Sequence, residues 1–211
     1  MLAIISPAKS LDYKTPPFCD TATTPDFLTE SKKLIKILRT KSEDEIGALM
    51  SISPKLATLN FERYRDWKPP FSLDNAKQSL MAFKGDVYQG FELEKYTQDD
   101  FDYAQDHLRI LSGLHGLLRP LDLIQAYRLE MGTKLENDRG KDLYEFWGER
   151  ITNALNDAIA ASGNKVLVNL ASNEYYNSVK SKLVDAEIVT PVFKDWKNGK
   201  LKIISFFAKR A

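Results

Sequence analysis

The sequence predicts an α+β fold, with a mixed sheet flanked by helices in a single domain over residues 1–211. Three observations carry this reading. The chain has 211 residues, 43% of them hydrophobic, which is enough to bury a sizeable core. Helical and strand patterns are interleaved without strict alternation, as in folds that combine helices with a mixed sheet. Asn198-Gly199, set between two strand-like runs, is the strongest short-range hairpin signal in the chain. No repeat, low-complexity tract or linker divides the sequence.

Leu2 to Ser6 reads as a short buried strand stopped by Pro7, followed by a loop to Phe18. Thr24-Pro25 offers an N-cap with proline at the first helical position, and Phe27, Leu28, Leu34, Ile35 and Leu38 follow at helical spacing. Ser42 to Glu45 is a capping box, and Ser53-Pro54 opens a third helix with Leu56, Leu59, Phe61 and Tyr64. Another helix is expected from Ser72 into Leu80 to Phe83. Thr97 to Asp100 caps a helix that Phe101, Ala104, Leu108 and Leu111 extend as far as Gly113. Asp142 to Ser162 reads as one amphipathic helix closed by Gly163. Lys165 to Ala171 is a buried strand running into a short helix near Ser172. Ala186 to Phe193 and Leu201 to Phe207 complete the expected strands.

Composition narrows the function. With 30 Lys+Arg against 29 Asp+Glu the net charge is +1, which excludes a basic tail protein but not a nucleic-acid partner. The sum is a cancellation: residues 92–106 carry a net −5 and residues 194–211 a net +5. Cys19 is the sole cysteine, so no internal disulfide forms and no multi-cysteine metal site exists, which fits a reducing compartment. The start, Met1 to Lys9, lacks the charged and lengthy form of a signal peptide, and no apolar run approaches the roughly eighteen residues of a membrane span. A soluble cytoplasmic protein without a membrane partner is expected.

The phosphate-binding Walker loop, the G-x-G-x-x-G turn, H-E-x-x-H and G-x-S-x-G are all absent. Only His107 and His115 supply imidazole, so no histidine-rich metal site is expected, and no cofactor is implied. Arg109 to Ile124 has the form of a helix–hairpin–helix, with Gly113, Leu114, His115 and Gly116 as the hairpin. Two close glycines let such a turn offer backbone N–H groups to phosphate, with Arg109, Arg119 and Arg128 adding charge. The same glycines also suit a plain turn between two core helices. Polar residues recur where strands end: Ser6, Lys9 and Asp12 after the first, and Asn169, Ser172 and Glu174 after the strand at Val166. Arg128 and Glu130 lie in Tyr127 to Met131. Such groups converge on a crevice when the strands are parallel, although each alone is accounted for as a cap or a surface ion pair.

Seven segments stand out in order along the chain: Ile5 to Asp12, Phe83 to Gly90, Leu111 to Asp122, Tyr127 to Gly132, Lys141 to Gly148, Asn169 to Tyr175 and Ser205 to Ala211. Together they resemble the YaaA family, the bacterial peroxide-stress resistance proteins. The resemblance implies a cytoplasmic protein of the hydrogen-peroxide response that limits unincorporated iron. It also implies an α+β fold with a positively charged cleft, a helix–hairpin–helix and DNA binding. The hairpin carries over onto Gly113 to Gly116, and the cleft onto Lys9, Arg109, Arg119, Arg128, Glu130, Asn169, Ser172, Glu174 and Lys209. His115 stands where the family often has tyrosine. Family members continue beyond the position of Ala211, so the chain is expected to be truncated at its C-terminus.

Three functions follow as expectations. The first is backbone-directed binding of duplex or branched DNA. The second is an enzyme acting in the cleft on a nucleotide, a base or a phosphorylated small molecule, with Lys9, Arg128, Glu130, Asn169 and Glu174 as catalytic candidates. Glu130 or Glu174 would serve as general base, and Lys9 or Arg128 as electrophilic clamp. The third, direct iron sequestration by the acidic block Glu92, Glu94, Asp99, Asp100, Asp102 and Asp106, competes with a solvated helix start whose acids suit the N-terminal dipole.

Overall fold

Leu2–Ile5 (β1) is buried on both faces: Leu2 and Ile4 are fully enclosed and Ile5 nearly so, as a strand between parallel neighbours requires. The computed structural model describes residues 1–197 and 199–202. After Pro7 a two-residue strand, Ser10–Leu11 (β2), interrupts the loop and leads to three helices. Leu28–Leu38 (α1) buries Leu34, Ile35 and Leu38 on one stripe, but it starts after Thr24-Pro25, with Phe27 as N-cap and no side-chain cap bond. Glu43–Met50 (α2) begins on the expected capping box: the Ser42 N–H donates to Glu45 Oε2 at 2.7 Å, and the Glu45 N–H donates to Ser42 Oγ at 3.3 Å. Pro54–Asp66 (α3) starts with its proline in the first turn, as expected. It buries Ala57, Asn60 and Tyr64, and leaves Leu56 and Leu59 largely outside.

The helix expected from Ser72 is instead three short pieces: Lys77–Gln78 (β3), Ser79–Ala82 (α4) and Phe83–Lys84 (β4). Strand pairing on either side cuts the helix short: β3 pairs with a later strand and β4 with β2, which leaves only Ser79–Ala82 helical between them. Gln98–His107 (α5) opens on the expected capping box of Thr97 and Asp100, yet it stops at His107 and the chain turns extended as Leu108–Ser112 (β5). Leu108 and Leu111 fit a helical stripe as well as a buried strand, an ambiguity that short apolar runs always carry. The open side of β1 resolves it, pairing Ala3 with Leu108, Ile4 with Arg109 and Ile5 with Ile110 in parallel.

A tight turn then leads into Gly116–Leu118 (β6), antiparallel to β5 with Ser112 opposite Gly116. The expected helix–hairpin–helix is therefore a β-hairpin. Leu123–Ile124 (β7) pairs with β3. The helix expected over 142–162 is broken into Leu143–Trp147 (α6) and Arg150–Ser162 (α7) at Gly148, whose φ of +54° lies outside the helical region. Gly163 closes α7 in the left-handed conformation, as expected. Val166–Asn169 (β8), Asn173–Tyr176 (α8), Glu187–Val189 (β9), Asp195–Lys197 (β10) and Lys200–Lys202 (β11) follow. Strands β10 and β11 form a hairpin where the turn was expected, with Gly199 at φ +71°, but its first arm is Asp195–Lys197 and not the expected strand 186–193, of which only Glu187–Val189 is strand. Asn198 and the strand and basic residues expected beyond Lys202 lie outside the described residues.

The main sheet runs β6-β5-β1-β8-β9, parallel except for the β5–β6 pair, so it is mixed and flanked by helices. Helices α5 and α7 both pack on β1, and Ile151, Leu155 and Ile159 of α7 are buried. The β5–β6 turn is clamped in the core. The Trp147 indole N–H donates to the Gly113 carbonyl at 3.0 Å. A Cβ on Gly113 would collide with the Leu129 carbonyl oxygen, and one on Gly116, at φ +69°, would lie 2.7 Å from the Trp147 ring. Gly113→Ala and Gly116→Ala are each expected to destabilise the protein by about 3 kcal/mol in urea unfolding, whereas Gly90→Ala, at a position with open space, should stay within about 0.5 kcal/mol.

Candidate functional site

From β1 the chain crosses to β5 on one side and later returns to β8 on the other. Beyond the carboxyl ends of β1 and β8, the position at which parallel sheets hold ligands, polar side chains gather. Here the Ser172 N–H donates to Ser6 Oγ at 2.9 Å, and the two serine hydroxyls are 3.2 Å apart. The Leu170 N–H donates to the Ile4 carbonyl at 2.9 Å and fastens the two strand ends together. The Tyr88 hydroxyl donates to the Ser6 carbonyl at 2.9 Å.

Lys9 reaches out from the loop after β1, and its Nζ lies 2.7 Å from Glu130 Oε2. Arg128 holds the other oxygen, with Nη2 at 2.7 Å and Nε at 3.1 Å. The Arg128 carbonyl accepts from the Tyr64 hydroxyl, which ties this segment to α3. Burial would raise the Glu130 pKa, but the hydrogen bonds and charges of Lys9 and Arg128 outweigh it and hold the carboxyl below its ordinary range. A carboxylate with both oxygens engaged by cations is a poor proton acceptor, so the resting arrangement does not support Glu130 as a general base. Its chemistry here is to aim Lys9 and Arg128.

Glu174 Oε1 accepts from the Gly132 N–H at 3.0 Å, and its carbonyl accepts from the Tyr144 hydroxyl at 2.8 Å. Tyr175 is buried beside Tyr127, Glu174 and Glu130, and desolvation first, then these neighbours, push its hydroxyl pKa up. Asn169 spends its amide on structure, Oδ1 accepting from the Ala171 N–H at 3.0 Å and Nδ2 reaching Thr190 at 3.4 Å. Asp12 likewise closes a turn. Its carboxylate accepts from the backbones of Thr15 and Lys14 at 3.0 and 2.9 Å, which holds it well below the usual range. Lys77 pins the same loop through the Asp12 and Thr15 carbonyls at 2.9 and 2.8 Å.

The structure thus brings together Lys9, Arg128, Glu130, Ser172 and Glu174, with Ser6 and Tyr88 beside them. Tyr88, Tyr144 and Tyr175 were not among the expected site residues, although all three fall within the segments that carry the family resemblance. The expected positive charge is compensated among the described residues: Lys9 and Arg128 stand against Glu130 and Glu174. Arg109 and Arg119 do not reach this cluster and line a separate cavity with α7 residues. Lys209 lies outside the described residues. The acidic block is engaged locally, Asp100 in the cap of α5, Glu92 with Lys95 at 2.7 Å and Asp102 with Gln98 at 2.7 Å. Among the described residues no three His, Cys, Asp or Glu side chains are placed to hold a metal, and no helix is long and apolar enough to cross a membrane.

The glycine turn offers nothing to a phosphate. Gly113, Leu114, His115 and Gly116 are buried, the His115 N–H donates to Ser112 Oγ at 2.9 Å, and the Gly113 carbonyl is taken by Trp147. The His115 ring sits among Trp67, Phe71 and Tyr127 with its Nδ1 3.1 Å from Ser31 Oγ. Burial pushes its pKa down to about 3.

An α+β protein with a mixed sheet flanked by helices and a polar cluster at the carboxyl ends of its central strands is the class defined so far. The chain belongs to the family described as "Peroxide stress protein YaaA", whose model matches residues 1–211. It is similar to a UPF0246 protein of Paraburkholderia phytofirmans, 59% identical over 213 residues that cover all of this chain and 82% of the relative. A second UPF0246 protein, from Paraburkholderia xenovorans, is 58% identical with the same coverage.

His115 makes the fold acid-sensitive. Below an unfolded pKa of 6.5 the unfolded chain takes up a proton that the folded chain refuses until about pH 3. Stability is expected to fall by up to about 1.4 kcal/mol per pH unit through that window. Urea midpoints of His115→Gln should show a shallower decline between pH 6.5 and 4 than those of the natural protein, with the carboxylates common to both cancelling.

Proposed function

We propose that the protein serves the peroxide-stress response by holding DNA through sequence-independent phosphate contacts, and so limits the damage that unincorporated iron does to it. The contact in this reading is the β10–β11 ribbon, not the glycine turn. The observation that supports it is the ribbon's surface: Lys194, Lys200 and Lys202 are exposed, and Trp196 is 68% exposed opposite Leu201. A two-stranded ribbon fits the major groove, and lysines on it meet phosphates on either side. Affinity for a duplex of scrambled sequence should fall steeply with salt. Replacing Lys200 and Lys202 together by alanine should make the slope of log K against log salt shallower by about two. An unchanged slope would remove the ribbon from the interface.

A second reading rests on a different observation, the Ser6, Ser172, Lys9, Arg128 and Glu130 grouping at the strand ends. Its hydroxyls and cations suit a phosphorylated small molecule or nucleotide, with Lys9 and Arg128 as the clamp and Glu130 as the group that positions them. In this reading Glu130→Gln abolishes protection of cells against peroxide, and raises the free iron seen by whole-cell electron paramagnetic resonance, while DNA affinity is unchanged. Full protection by that variant would leave the cluster without a role.

A further inference from the structure

Arg109 and Arg119 meet in a cavity of about 200 Å³ between the β5–β6 edge and α7, walled by Leu118 and Ala158 with Asp26 and Asp157 at its rim. The two guanidinium groups differ in their circumstances. Arg119 has its counter-ions, with Nη2 2.9 Å from Asp122, 3.2 Å from Asp26 and 2.8 Å from the Thr24 carbonyl. Arg109 has no carboxylate within ion-pair reach among the described residues. Only its Nη1 finds acceptors there, the Gln105 and Leu108 carbonyls at 2.7 and 2.8 Å. Those bonds fix the plane of the group and leave Nε and Nη2 for something else.

Burial, and then the charge of Arg119, depress the Arg109 pKa, yet a guanidinium stays ionised in a protein. A partly desolvated cation without a counter-ion is costly, and an oxyanion relieves the cost. Asp157, on the α7 side, likewise has no ion-pair partner among the described residues and is exposed. The cavity therefore presents one uncommitted cation, one uncommitted anion and short apolar walls. It is too small for a polymer.

We propose that this cavity binds a small zwitterion of the α-amino-acid kind, its carboxylate on the Arg109 fork and its ammonium toward Asp157, with a small apolar side chain against Leu118 and Ala158. The site is independent of both the ribbon and the cluster at the strand ends. The test is titration of the full chain with L-alanine, acetate and methylamine, followed through the Arg109 Nε–H resonance and by calorimetry. L-alanine should saturate the site, and acetate and methylamine should each bind about tenfold more weakly, the loss of one ion pair. Arg109→Gln should bring alanine down to the level of methylamine, and Asp157→Asn should bring it down to the level of acetate. If Arg109→Gln does not fold, Arg109→Lys, which keeps the charge but loses the fork, should weaken binding. Absence of saturable binding overturns the site. Acetate binding as tightly as alanine, or full affinity in Asp157→Asn, overturns its zwitterionic character.

Discussion

The position of β1 in the middle of the sheet is the constraint from which the rest of this protein follows. With Leu2, Ile4 and Ile5 enclosed, the strand satisfies its backbone N–H and C=O groups only if β5 and β8 arrive on either side. Parallel neighbours cannot be joined by short turns, so long crossovers must intervene, and α5 and α7 lie against β1. Carboxyl ends of adjacent parallel strands then necessarily point the same way. Ser6 and Ser172, 166 residues apart in the chain, meet at 3.2 Å for that reason.

The β5–β6 turn shows how packing redirects a familiar pattern. Two glycines three residues apart satisfy the needs of an exposed phosphate-binding hairpin and of a turn pressed into a core equally well. Trp147 decides between them. Its ring covers Gly116 and its indole N–H caps the Gly113 carbonyl, while the Leu129 carbonyl occupies the space over Gly113. Glycine is required there for close approach, not for offering N–H groups to a ligand. His115 goes into the core with it, neutral and ringed by aromatic side chains.

Charge is handled in the same selective way. In the polar cluster each cation is given a carboxylate, so Lys9, Arg128 and Glu130 act as one hydrogen-bonded unit with a direction rather than as a positive field. Arg119 is treated likewise by Asp122 and Asp26. Arg109, Lys200 and Lys202 are left without such partners among the described residues.

By itself the sequence determined what depends on neighbours along the chain. The capping boxes at Ser42 and Thr97, the proline start of α3, the glycine end of α7, the buried strands at Leu2 and Val166 and the hairpin around Gly199 were all legible, because each is set by a few consecutive residues. That Ser6 and Lys9 after β1 and Ser172 and Glu174 after β8 lie at one end of the sheet was legible as well, since the carboxyl ends of adjacent parallel strands point the same way. What only the tertiary structure decided is the fate of segments with two local solutions. Leu108 to Ser112 suits a helix or a strand, and the free edge of β1 made it a strand. Residues 142–162 suit one helix, and the fit of Trp147 over the β5–β6 turn goes with two. The pairing of Glu130 with Lys9, like the isolation of Arg109, depends on which groups long-range packing brings within about 3 Å, and no spacing along the chain encodes that.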